Sequence, residues 1–230
     1  MVSGWRIGSR ITKNRLERLF MRNCQICGEG DRKLILAGYA GQNMSLFSCD
    51  GCGHRYVDSA ELDQAYFDKY YANEYKISDT PEECAPRYQK LAQYVQAHAK
   101  GVLDIGGKDG ELHKYFEGFP YQAVGVGDEL GEKQECVLLS HTLEHVYDVD
   151  ALMERIKKAL RYDGLLVIEV PIHITYKPPK DYDYHWQHMN KFRPMDLMEL
   201  LISYQYSIAE FCRQDDFREY ECWRIAGRLW

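Results

Sequence analysis

The chain has 230 residues, 45% hydrophobic and 28% charged, and a net charge of −6. This suits a soluble globular protein with room for one large domain, or one domain with a small attachment. The acidic balance argues against a general nucleic-acid binder, which carries a basic face. No apolar run approaches the ~20 residues of a membrane span.

The first twenty residues are basic and lack the apolar block of a signal peptide, so the expected location is the cytoplasm. Within residues 1–22, Ile11, Leu16, Leu19 and Phe20 line one face of a short helix with Arg and Lys opposite. Such a helix serves a membrane surface or partner, or packs on its own domain; the second is our reading.

Residues 23–60 carry two C-x-x-C pairs, "CQIC" and "CDGC", that is Cys24, Cys27, Cys49 and Cys52. Two such knuckles about twenty residues apart supply four thiolates, the donor set of a tetrahedral zinc ribbon. Four thiolates leave no open position, so the expected Zn2+ is structural, standing in for a core that so small a region cannot build. Cys84, Cys136, Cys212 and Cys222 have no such spacing and read as core thiols.

Residues 61–84 read as a linker that includes the tyrosine-rich "YFDKYYANEY". Thr80, Pro81 and Glu83 look like a helix start, and Pro86 is expected to force a restart. Tyr88, Leu91, Ala92, Val95 and Ala99 then recur at helical spacing. Residues 85–230 form the main domain. Its first strand is 102–105, followed by a glycine turn and a helix opening over 111–116. Further strands are expected at 121–126 and 136–139. Asp148 caps a helix to about Leu160, and Gly164 ends it. "LLVIEV" is a buried strand, Pro194 starts a helix, and "YSIAEFC" and "ECWRIAG" pair as an antiparallel edge. Alternating strands and helices predict an α/β fold, a mostly parallel sheet with helices on both faces. Ligands bind such sheets beyond the carboxyl ends of the strands.

The order "LDIGGKDG", "CVLLSHTLEHVYD", "LRYDGLLVIEVP" resembles the class I S-adenosylmethionine-dependent methyltransferases and implies their Rossmann-like fold. With the cysteine ribbon and "YYANEY", the chain is similar from residue 24 onward to a zinc-ribbon subset. That subset includes sugar C-methyltransferases and enzymes of glycan or natural-product pathways. The resemblance implies S-adenosylmethionine as cofactor and a sugar nucleotide, glycan intermediate or small polar metabolite as acceptor. It places the cofactor on Asp104, Gly106, Gly107, Asp109 and Gly110, with Lys108 at the usual middle glycine, and its ribose on Asp128 or Glu129.

Only residues 127–135 separate the second strand from the third, whereas a helical crossover needs a dozen or more. A strand–helix unit of the family is therefore expected to be missing, shortening the sheet and removing adenine contacts. The rival reading is a binding protein that keeps the fold without the cofactor. His141, Glu144 and His145 follow "CVLLS", and 141 and 145 share a face if the segment is helical. His-x-x-Glu-His resembles the Glu-x-x-Glu-His of ubiquinone-pathway O-methyltransferases, implying a divalent ion or a general base. His185 and His188 in "DYDYHWQHMNKF" add two imidazoles, with Tyr182, Tyr184 and Trp186 placed to stack on a sugar or cover the sheet edge.

Overall fold

The computed structural model describes residues 23–39, 44–58, 65–66, 69, 81–107, 111–172, 187–214 and 221–230. The basic helix proposed within 1–22, most of the tyrosine-rich linker, Lys108, Asp109, Gly110, Tyr182, Tyr184, His185 and Trp186 lie outside these residues.

The main sheet contains β4 (Val102–Ile105), β5 (Tyr121–Val124), β6 (Gln134–Ser140), β7 (Leu160–Ile172), β9 (Tyr206–Gln214) and β10 (Glu221–Leu229). Its order is β5-β4-β6-β7-β10-β9. The first four strands run parallel, and β10 lies antiparallel between β7 and β9. The expected parallel sheet with an antiparallel tail is therefore present. Successive side chains on a strand face opposite ways, so β4 and β6 feed two cores. Leu103, Ile105, Val137 and Leu139 face one, with α2 (Val149–Ala159) and α3 (Pro194–Ser203). Val102, Cys136 and Leu138 face the other, against Leu91, Ala92 and Val95 of α1 (Pro81–His98). Each large side chain fully buried here contributes about 1.5–3 kcal/mol.

The shortage of chain after β5 has the expected consequence. Residues 125–133 cross from β5 to β6 without a helix, and β5 is the sheet edge among the described residues.

Three local expectations change. The first helix runs unbroken through Pro86. Proline there removes a hydrogen bond only to the first turn, and its ring is exposed, so the interruption is tolerated. Residues Glu111–Phe116 form a 3-10 rather than an α-helix. Gly164 lies inside β7 instead of ending α2: the register jumps from Gln134↔Leu160 to Cys136↔Leu165, and Asp163 has φ 60°. The Asp-Gly pair is thus used as a β-bulge, which needs the same unusual backbone as a turn. The Asp148 cap is as expected, its carboxylate accepting from the Ala151 amide at 2.9 Å.

A second sheet, β1 (Arg32–Tyr39), β2 (Met44–Cys49), β3 (Arg55–Asp58) and β8 (Asn190–Lys191), is antiparallel. Its last strand comes from the segment before α3, so the cysteine-bearing sheet is stitched to the main domain. No described helix is long and apolar enough to cross a membrane.

Candidate functional site

The carboxyl ends of β4, β5 and β6 meet at the glycine turn. Gly106 has φ 91°, a backbone that favours glycine, and its amide donates to Val124 O at 2.7 Å. A Cβ on Gly106 would collide with Thr142 Oγ1 and Cγ2, and that hydroxyl donates to Ile105 O at 3.0 Å. The space that a side chain on Gly106 would enter is thus taken by Thr142. Gly107 lies directly over the Asp104 carboxylate. Asp104 is buried; its Oδ2 accepts from the Tyr121 hydroxyl at 2.5 Å, while Oδ1 has no hydrogen-bond partner. Burial pushes Asp104 up to about 6, against the lowering effect of Tyr121.

Asp128 stands after β5 as expected, but its carboxylate turns back to accept from the Gly125 amide at 2.8 Å. Arg155 of α2 holds the same turn, donating to Val126 O at 2.6 Å and to Asp128 O. Glu129 is exposed.

Next to this turn lies the histidine cluster. Positions 141 and 145 do not share a helix: His141 breaks away from β6 with φ 51°, and only Leu143–His145 forms a 3-10 turn. A three-residue turn points Glu144 inward and leaves an imidazole on each side of it. His141 Nδ1 lies 3.6 Å and His145 Nε2 3.7 Å from Glu144 Oε1. Glu144 is fully buried, and neither of its oxygens has a hydrogen-bond partner. Burial pushes Glu144 up to about 8 and pushes nearby Lys191 down to about 7.

His145 Nδ1 donates to Gln187 O at 3.0 Å, and the His145 and His188 rings meet edge-on at 4.7 Å. Asn190 Nδ2 donates to Val146 O at 2.8 Å, tying the second segment to the first. The structure thus brings His141, Glu144, His145 and His188 together, and Thr142 joins them to the glycine turn.

Four further residues in this region escape the sequence reading. Glu169 on β7 pairs with Arg87 of α1 at 2.7 Å, Cys222 Sγ lies 3.5 Å from His141 Nε2, and Lys191 sits buried near Glu144. Glu169 had a signal, a carboxylate inside the apolar run "LLVIEV", which must be paired if buried. Arg87, Lys191 and Cys222 had none, because their neighbours are distant in sequence.

The four cysteines also converge. Cys24 Sγ lies 3.6 Å from Cys52 Sγ, and Cys27 Sγ 3.5 Å from Cys49 Sγ. Thiolates on one tetrahedral zinc at ~2.3 Å would be ~3.8 Å apart, so the donor set fits that ion with little movement. Gly53, at φ 76°, closes the second knuckle, its amide donating to Cys49 O at 2.9 Å. Burial pushes the Cys24 thiol up to about 11 and Cys52 further, so thiolates there at neutral pH call for a cation.

A family model described as a methyltransferase domain matches residues 76–210. Among solved structures, the chain is similar to the 1,6-didemethyltoxoflavin-N1-methyltransferase of Burkholderia thailandensis, at 18% identity and TM-score 0.57. That match covers 86% of this chain and 99% of the other. An Aquifex aeolicus S-adenosylmethionine-dependent methyltransferase aligns at 12% identity and TM-score 0.50, covering 74% and 100%. The cyclase SpnF aligns at 10% identity and TM-score 0.52, covering 68% and 84%. No curated protein matches the sequence significantly. The family match spans more than half of the sequence, and the sheet order supplies the fold. The chain belongs to the methyltransferase-domain family, with the class I S-adenosylmethionine-dependent methyltransferase fold.

Proposed function

We propose that this protein methylates a sugar nucleotide, glycan intermediate or related small polar acceptor, and that its cysteine ribbon holds one structural zinc. One observation carries the reading. Thr142 packs on Gly106 while its neighbours His141, Glu144 and His145 meet His188, so donor and acceptor sides adjoin at the carboxyl end of β6.

Asp104, Gly106, Gly107 and Asp128 are the described residues that would hold the cofactor, with Asp109 and Gly110 completing the loop in sequence. The unpartnered, buried Oδ1 of Asp104 suits an N–H donor such as the cofactor's ammonium. When bound, S-adenosylmethionine supplies a methyl group on a positively charged sulfur, and transfer depends mainly on alignment. His141 and His188, both partly exposed, line the acceptor side and can orient a hydroxyl or take its proton. His145 is committed to Gln187 O and Glu144 and therefore acts as a positioning residue.

Titration calorimetry with S-adenosylmethionine and its demethylated product tests the reading. Binding is expected, weakened by the edge position of β5 and by the Asp128 carboxylate already engaged with Gly125. No heat and no thermal shift at millimolar ligand would instead assign the chain to fold-retaining, non-catalytic binding proteins.

A further inference from the structure

The described chain opens at Asn23, beside one particular face of the domain. Gln25 Oε1 accepts from the Val149 amide at 2.6 Å, which fixes that opening at the N-terminus of α2. One residue further along α2, Asp150 Oδ1 accepts from the Tyr204 hydroxyl at 3.0 Å, joining the same turn to the end of α3. At the start of α3, Arg193 donates to Cys52 O in the second knuckle. Residues 1–22 therefore join the domain next to α3.

α3 shows solvent an apolar stripe. Met195 is 57% and Ile202 60% exposed. They are seven residues apart, about two helical turns, with half-buried Met198 between them. Spacings of three and four put all three along one side of the helix. Exposed apolar side chains scattered singly need no explanation, but a continuous row of them marks a surface that binds something.

The rim of this stripe is acidic. Burial pushes the Tyr204 hydroxyl up, and Asp150, Glu154 and Asp148 of the α2 region push it further, so three carboxylates stand around the end of α3. Glu199 is exposed on α3 itself. Of the cations on these helices, Lys157 bonds Gln205, Arg155 bonds the carbonyls of Val126 and Asp128, and Arg193 pairs with Asp196. Lys158, at the far end of α2, is exposed.

The first 22 residues have the complementary character. They carry six Lys or Arg and one Glu, in a chain of net charge −6. Ile11, Leu16, Leu19 and Phe20 supply an apolar face at helical spacing. Residues 11–20 as a helix would be about 15 Å long at ~1.5 Å per residue, the length of the ten-residue α3. Residues 21–24 suffice as a link, spanning up to ~13 Å.

We propose that α3, along Met195, Met198 and Ile202, is the docking surface for residues 11–20 of the same chain. The basic side chains of that segment are set against Asp150, Glu154 and Glu199. A second copy of the chain is less suited as the occupant, because a tether this short holds the segment at an effective concentration on the order of millimolar.

The test uses the full chain with photoreactive p-benzoylphenylalanine in place of Ile202, irradiated at micromolar concentration. Cross-linked peptides are identified separately in the monomer and dimer bands. Links to residues 11–22 are expected in the monomer band. Leu16→Asp with Leu19→Asp should cut their yield by at least ~10-fold, the factor that burying one leucine supplies. Glu154→Lys should lower it by about twofold to fivefold, the worth of an exposed ion pair. The same photoreactive group in place of exposed Lys114, on the opposite side of the sheet, should give no such links. Near-ultraviolet circular dichroism checks folding, and Glu154 is exposed, so its variant serves even if the leucine variant misfolds.

Three results overturn the proposal: no link from position 202 to residues 11–22 in the monomer band, a yield unchanged in the folded variants, or an equal yield from position 114. Links confined to the dimer band assign the face to a second copy instead. Because neither cofactor nor acceptor is present, failure to methylate leaves this readout untouched.

Discussion

Asp104 has one hydrogen bond, from Tyr121, for two buried carboxylate oxygens. Its folded pKa of about 6 lies above the ordinary 3.8, so the folded state holds the proton more tightly than the unfolded chain. The stability this group contributes is therefore complete below 3.8 and lost as pH rises through about 6. At 1.36 kcal/mol per unit, the loss is at most roughly 3 kcal/mol. Urea unfolding across that window should show wild type losing stability relative to Asp104→Asn; parallel curves would show that Asp104 is solvated. His188 supports a second expectation. If it orients the acceptor or takes its proton, His188→Ala should lower turnover by roughly 10²–10⁴-fold with cofactor affinity retained. Full turnover on an identified acceptor would move the acceptor elsewhere.

Between elements, Arg87 and Glu169 join α1 to β7 inside the molecule. Their side chains are 3% and 0% exposed, so removing one leaves the other buried without its ion-pair partner. Arg87→Ala should cost about 3–5 kcal/mol, whereas replacing the pair together, Arg87→Met with Glu169→Leu, should cost much less. Denaturant midpoints of the single and double variants measure this. Equal losses would mean that the guanidinium matters for packing rather than charge. The same pair shows what element-level reading captures. The helical period predicts α1 and the apolar run predicts β7, yet neither pattern identifies the partner of Glu169, because the pairing spans 82 residues.

For the molecule as a whole, the ribbon is not an appendage. β8 pairs with β3, His54 Nδ1 lies 3.0 Å from Asp196 Oδ2, and Arg193 Nη2 donates to Cys52 O at 2.6 Å. Burial works to raise Asp196, but hydrogen bonds from His54 and Arg193 hold it below the usual carboxylate range. The N-terminus of α3 is thus anchored to the second cysteine knuckle. One zinc per chain is expected by elemental analysis, lost in Cys49→Ser. That variant should unfold in one transition at lower temperature, each kcal/mol lost lowering Tm by about 2–4 °C for a chain of this size. A separate low-temperature transition, with the main transition unmoved, would show the ribbon unfolding independently.

The sequence by itself determined most elements of the main domain and the cysteine knuckles, because hydrophobic period, caps and C-x-x-C spacing act over a few residues; the strands of the second sheet and the 3-10 form of Glu111–Phe116 were not read from it. It also determined that the sheet is short, since residues 127–135 are too few for a helical crossover. Where one local signal has two uses it misled: Pro86 sits within a helix, where it removes a hydrogen bond only to the first turn, and Gly164 within a strand, where it serves a bulge. Only the tertiary structure decided that Thr142 fills the space over Gly106, that Glu144 lies buried between two imidazoles, and that β8 binds the ribbon to the domain. Each depends on groups brought together by sheet order, with the enclosing core excluding the water that would otherwise satisfy them. No periodicity along the chain encodes that exclusion.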